Sequence, residues 1–318
     1  MIWVAWRQQR AQLITLAVVS LVVGTALAML HWLMLDDLHS AEPAGCWIQQ
    51  GISADCRKPV AEFQNRWFDL MKVGQVGIIA LPGLIGLFLG APMFARDLEQ
   101  GTHVLAFTQS VGRARWMVTK LLVGLVPALS MLLVLQWLVS RWLVSARDLG
   151  PLITGPYEPL TFVSANVTPL AFTLFVFCLG AFLGALTRRT LSGMTITLGV
   201  FVAGWAALLS MRTVWFPPVR VLSDLDYSPS GPEVVLSYRT GYVGAQGQEF
   251  GRDQVNAIMR ACDQPGYDCW RGHGLAHQFA DVLPAADAWK LHLVEGSVCV
   301  ALAAALVIGT FWVLRGRV

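Results

Sequence analysis

The residues whose types and spacing suit chemistry fall in three places. The first is Arg96-Asp97-Leu98-Glu99-Gln100-Gly101-Thr102, followed by Val111-Gly112-Arg113-Ala114-Arg115, Trp116 and Lys120. Acids open the stretch, a glycine interrupts it and a basic cluster closes it, between two long apolar runs. A bare connection between spans needs only a tight turn, so a polar segment of this length reads as a docking surface. The second is Glu295, an acid well inside an apolar run. A carboxylate at membrane depth is costly unless it is paired or hydrated. Arg141 and Arg212 are its expected partners, and a structural ion pair is preferred over a cargo or proton site. The third is Cys262, Cys269, His273 and His277. The cysteines are spaced wider than common zinc pairs, and Gly272 and Gly274 weaken a helix that would align the histidines. A disulfide across the Pro265-Gly266 turn is therefore expected, and no metal.

The motifs that are missing limit the chemistry. No Gly-x-x-x-x-Gly-Lys-Ser/Thr is present to cradle nucleotide phosphates. Neither His-Glu-x-x-His nor Gly-x-Ser-x-Gly occurs. No catalytic residue is assigned, and any work the protein does must draw on a partner or an ion gradient.

The elements that position these residues follow from composition. With 55% hydrophobic and 14% charged residues, the chain is too apolar for an ordinary soluble domain. Six windows reach the length of about 20 residues that a helix needs to cross hydrocarbon. They are Leu13–Leu35, Val73–Phe94, Met117–Val139, Leu170–Leu186, Leu191–Leu209 and Leu291–Leu314. The runs are continuous rather than alternating, which predicts helices and not a barrel. With both termini inside, the inner segments hold Arg7, Arg10, Arg96, Arg113, Arg115, Lys120, Arg188, Arg189, Arg315 and Arg317 against only Asp97 and Glu99. That asymmetry satisfies the positive-inside rule. It explains the net charge of +3 by membrane orientation rather than nucleic-acid binding.

The order apolar span, Arg-Asp-Leu-Glu-Gln-Gly-Thr, short amphipathic segment, basic pair, apolar span resembles the first cytoplasmic loop of ABC type-2 permeases. The six-span plan extends that resemblance over most of the chain, and it is closest to actinobacterial exporter halves whose ATPase is a separate chain. The resemblance implies that the loop 95–116 couples to the ATPase, through Arg96, Asp97, Glu99, Gln100, Gly101, Thr102, Arg113 and Arg115. It also implies two ATPase copies carrying ATP and magnesium, a second permease half, identical or paralogous, and an amphipathic N-terminal elbow helix over 1–12.

The remaining expectations come from the residues. Ile2, Trp3 and Trp6 followed by Arg7 and Arg10 suit an interfacial helix. Cys46 and Cys56 fall on the oxidising side and are expected to form a disulfide. Phe63, Trp67 and Leu70 recur at helical spacing and suggest a short interfacial helix before span two. Gly83, Gly86 and Gly90 in span two, and Gly180 and Gly184 in span four, permit close helix approach, within one bundle by preference or at a dimer seam. Thr187-Arg188-Arg189-Thr190 is a tight inner hairpin. In span five Met194, Leu198, Phe201 and Trp205 share a face; with Phe88 they are the candidate cargo path, although a lipid-facing or packed stripe is preferred for that face.

The fold expected is thus an all-α membrane protein of the plasma membrane: elbow helix 1–12, five spans over 13–211, an extracellular cap over 212–288, and span six with a cytoplasmic tail over 289–318. The function expected is the permease subunit of an ATP-driven exporter for an apolar or amphiphilic cargo, with no cofactor in this chain. The competing readings are an ion-coupled secondary transporter using Glu295, and a membrane sensor or assembly protein whose outer cap binds a ligand.

Overall fold

The computed structural model describes residues 2–41, 57–101, 112–146, 149–225, 234–262 and 266–315. Among them, six helices are long and apolar enough to cross a membrane: Trp6–His39, Arg57–Glu99, Arg113–Ser145, Thr168–Thr187, Thr190–Met211 and Ala288–Arg315. In hydrocarbon each backbone N–H and C=O must find its partner within the segment, and the helix supplies this.

The elements in chain order begin with α1, Ile2–Ala41. Residues 2–12 continue without a break into the first span, so the expected elbow is the start of one long helix. The second span is α2, Arg57–Ile85, a π-helical turn over Gly86–Gly90, and α3, Ala91–Glu99. Phe63 and Trp67 do not form a separate interfacial helix; they belong to α2 and are buried against Met71, while Leu70 is exposed. Trp67 lies edge-on to Trp142 at 6.5 Å and donates its indole N–H to Asp37 Oδ2 at 2.8 Å. Next come α4, Arg113–Ser145, the short α5, Pro159–Ser164, and α6, Thr168–Thr187. The sequence then gives α7, Thr190–Trp215, and closes with α10, Ala288–Arg315.

Hydrophobicity alone does not hold helices together in lipid, where tails are as apolar as leucine; close packing does. The tightest seam joins α2–α3 to α6. A Cβ on Gly184 would strike the Ala91 carbonyl oxygen, and one on Gly180 would strike the Gly86 carbonyl oxygen. The paired glycines therefore pack span two on span four within one chain, as their spacing predicts. Around this seam Met34, Phe94, Leu132, Trp142 and Phe177 are almost wholly buried.

Residues Leu209–Leu291, with Thr154–Glu158, form a second compact unit. Here the all-α expectation needs correcting. The unit holds β1, Val219–Asp224, β2, Val234–Val243, β3, Glu249–Phe250, and β4, His277–Pro284. They make an antiparallel sheet in the order β1-β4-β2-β3. Between β3 and β4 lie α8, Arg252–Ala261, and α9, Tyr267–Gly272. Cys262 and Cys269 are disulfide-bonded, with Cα atoms 6.2 Å apart, as expected from the sequence.

Candidate functional site

The polar end of the helical unit is built where α3, α4 and α7 meet. Gln100 N donates to the Arg96 carbonyl, and Gly101 follows with φ +68. That is the left-handed closure for which glycine is favoured. Just before it, Asp97 forms an ion pair with Lys120 of α4. Lys120 is almost fully buried, and its ammonium lies 4.9 Å from the centroid of Trp116, which in turn packs on Phe94 at 5.5 Å. Gln9 Nε2 of α1 donates to the Lys120 carbonyl at 3.4 Å. Removing one partner of such a buried pair costs about 3–5 kcal/mol, because the other charge is left without compensation.

Glu99 faces a different helix. Its Oε2 accepts from Thr190 Oγ1 at 2.8 Å and from Thr190 N at 3.3 Å. It therefore satisfies a free N–H at the start of α7, where the helix dipole also favours a negative charge. The tight α6–α7 hairpin predicted from the sequence is present, with Arg188 in the left-handed region at φ 54, and it brings Thr190 to Glu99, a meeting the sequence did not indicate. Two acids two residues apart thus hold two different spans.

The basic residues divide. Arg96 and Arg115 are exposed, Arg113 Nη1 donates to the Arg315 carbonyl at 3.4 Å, and Gln100 is exposed. Thr102 and the segment 102–111 lie outside the described residues, as do Cys46 and Cys56. The roles of Lys120, Gln9 and Gln12 escaped sequence reasoning. The only hint was that Lys120 sits one helical turn after Trp116, on its buried side.

An apolar groove of about 530 Å³ opens between α1, α2–α3 and α7. Leu16, Val19, Leu81, Phe88 and Met194 line it, and Arg96 and Thr190 close one end. Gln12 Nε2 donates to the Phe88 carbonyl at 3.1 Å, satisfying an acceptor in the π-helical turn. The predicted cargo-path residues are therefore split. Phe88 and Met194 reach the groove, whereas Phe201 and Trp205 pack against Phe172, Val176 and Cys299 of α6 and α10. Leu198 is exposed outside it.

Glu295 is buried on α10, one helical turn beyond His292. His292 Nδ1 lies 2.7 Å from Thr168 Oγ1, and its ring stacks on Phe162 at 3.9 Å. Arg141, an expected partner of Glu295, instead lies over the Trp137 ring at 5.7 Å; the side chain of Arg212 is outside the description.

In the sheet unit Arg220 bonds Asp281 Oδ1 at 2.8 Å and Glu249 Oε1 at 2.7 Å. These bonds hold both carboxyls below the usual carboxylate range and push the guanidinium pKa up. The ligand atoms of Cys262, Cys269 and His273 lie within 4.8 Å of one another, but both sulfurs are taken by the disulfide. His277 stands elsewhere, with Nδ1 3.5 Å from Asp224.

Among the described residues, six helices long and apolar enough to cross a membrane make this a multi-pass membrane protein. The sequence profile of the family described as ABC-2 membrane transporter related matches residues 16–212, the first five spans and the polar end, and the chain belongs to that family. No curated protein matches it. Permeases of this family are the membrane component of a transporter, are not themselves catalytic, and generally work with an ABC ATPase.

Proposed function

We propose that this chain is the permease subunit of an ATP-driven exporter in the plasma membrane. The observation that carries the reading is the polar end, where Asp97 is tied to α4 and Glu99 to α7. A push on the connection between α3 and α4 is then delivered to three spans at once. Arg96 and Arg115, both exposed, are suited to meet acidic groups on the ATPase. ATP and magnesium bind the ATPase, two copies of which serve two permease halves, identical or paralogous. The apolar groove supports an apolar or amphiphilic cargo, with Phe88 and Met194 on its wall.

Purification from the native membrane in mild detergent tests this. The expected result is a stoichiometric P-loop ATPase that stays with the wild type and is lost from Arg96→Glu/Arg115→Glu. Glu99→Ala is expected to keep the ATPase but to lose most permease-dependent stimulation of hydrolysis. A chain that emerges alone from every detergent would refute ATP coupling. The test would then move to Glu295 and proton-dependent transport.

A further inference from the structure

Among the described residues the sheet unit leaves one long edge without a paired strand. β1 pairs with β4 on one side, and among the described residues no strand pairs with the other. The opposite edge, β3, is only two residues long, whereas β1 has six. Val219, Val221 and Leu222 on β1 are 54%, 42% and 56% exposed. A long edge with large apolar side chains is a template for another strand, and folded proteins normally blunt it. The charged residues of Val219-Arg220-Val221-Leu222-Ser223-Asp224 that could blunt it are Arg220 and Asp224.

The order of charges says what would pair there. Successive strand residues alternate faces, so Arg220, Leu222 and Asp224 share one face. The register with β4 agrees, placing Arg220 opposite Asp281 and Asp224 opposite His277. If a second β1 is laid antiparallel with Leu222 at the centre, Leu222 meets its own copy. Arg220 of each strand then meets Asp224 of the other, and Val221 meets Ser223. Opposite charges directly across strands are favourable and like charges are not. Asp224 stays accessible beside His277, its side chain being 69% exposed, and the Arg220 guanidinium retains N–H donors beyond its bonds to Asp281 and Glu249.

We infer that β1 is a homotypic seam, pairing antiparallel with β1 of a second copy of this chain about a two-fold axis at Leu222. The partner is chosen by self-complementarity: one patch serves both sides of an isologous contact. The inference rests on the two-half reading above and narrows it to identical halves.

The test is cross-linking of the full chain in membranes. Opposed strand residues have Cβ atoms about 4.5–5.5 Å apart, close to what a disulfide needs. Under copper–phenanthroline, Leu222→Cys is expected to give a reducible dimer absent from the wild type. Val221→Cys alone should not, but a mixture of Val221→Cys and Ser223→Cys chains should. Asp224→Arg in the Leu222→Cys background places two arginines face to face and is expected to lower the dimer yield about tenfold. A lysine-reactive dimer without any Leu222→Cys dimer overturns the seam and leaves the two-half reading standing. Monomers by subunit-counting photobleaching overturn both. Leu222→Cys shielded from a membrane-impermeant maleimide without cross-linking would mean a lipid surface covers β1, and also overturns the seam.

Discussion

Breaking the Asp97–Lys120 pair from each side in turn tests how the polar end is held. The Lys120 side chain is 3% exposed and that of Asp97 is 15% exposed, so the two single changes are not equivalent. Asp97→Asn strands an ammonium that water hardly reaches, its near neighbours being Trp116 and the end of α3. This should cost about 3–5 kcal/mol, the range for an uncompensated buried charge. Lys120→Met strands a carboxylate that can turn toward solvent, and it supplies a flexible side chain that packs on Trp116. About 1–2 kcal/mol is expected for it, since partial hydration offsets much of the same penalty. The double variant Asp97→Asn/Lys120→Met removes both charges and should fall within about 1 kcal/mol of the wild type. The difference between the sum of the singles and the double is the coupling energy. Reversible unfolding in mixed micelles, read by tryptophan fluorescence, gives all four corners of the cycle. Additive singles, or an Asp97→Asn variant as stable as the wild type, would refute the account of the pair.

Three further outcomes follow from the same geometry. Gly184→Ala should reduce folded yield sharply in fluorescence-detected size exclusion, since overpacking against the Ala91 backbone costs about 3 kcal/mol; Gly77→Ala, with open space around it, should not. Thr190→Val removes one of the two bonds to Glu99 and should cost about 1 kcal/mol, measured by unfolding in the same micelles. Asp281 and Glu249 have folded pKa values lowered first by their bonds to Arg220, so their contribution is full above the unfolded carboxylate range and is lost as pH falls through the folded values. Protection of the sheet amides against hydrogen exchange should therefore drop below about pH 4, and Arg220→Gln should flatten that dependence.

The spans, the glycine seam, the α6–α7 hairpin and the Cys262–Cys269 bond were legible because each is a local pattern. Hydrophobic length fixes a span, and small residues four apart fix a close approach. The partnerships were not legible. Asp97 and Lys120 are 23 residues apart, and Glu99 and Thr190 are 91 apart, so nothing in the linear order joins them. The apolar stripe on α7 misled for a related reason. A face of Met194, Leu198, Phe201 and Trp205 has one periodicity, yet α6 and α10 cover its far half and leave Met194 to the groove. The sheet was half legible: β2 has strand composition, but β1 and β4 are separated by two helices and the disulfide.

The placement of Glu99 changes what the proposed docking loop must do. If its acids served only to contact an ATPase, substituting them would weaken the complex and nothing else. Here the carboxylate that ends α3 holds the first turn of α7, and α7 carries Met194 into the groove. Asp97, half a turn earlier, holds α4 through a buried lysine. The α3 helix is set off from α2 by a π-helical turn, a local departure from α-helical register of the kind frequent at functional sites. Under the proposed coupling, a displacement of α3 would be carried to α7 by a charge-assisted bond and resisted at α6 by glycine-to-backbone contact. Loss of Glu99 should separate binding from transport, whereas loss of Asp97 should weaken the fold itself.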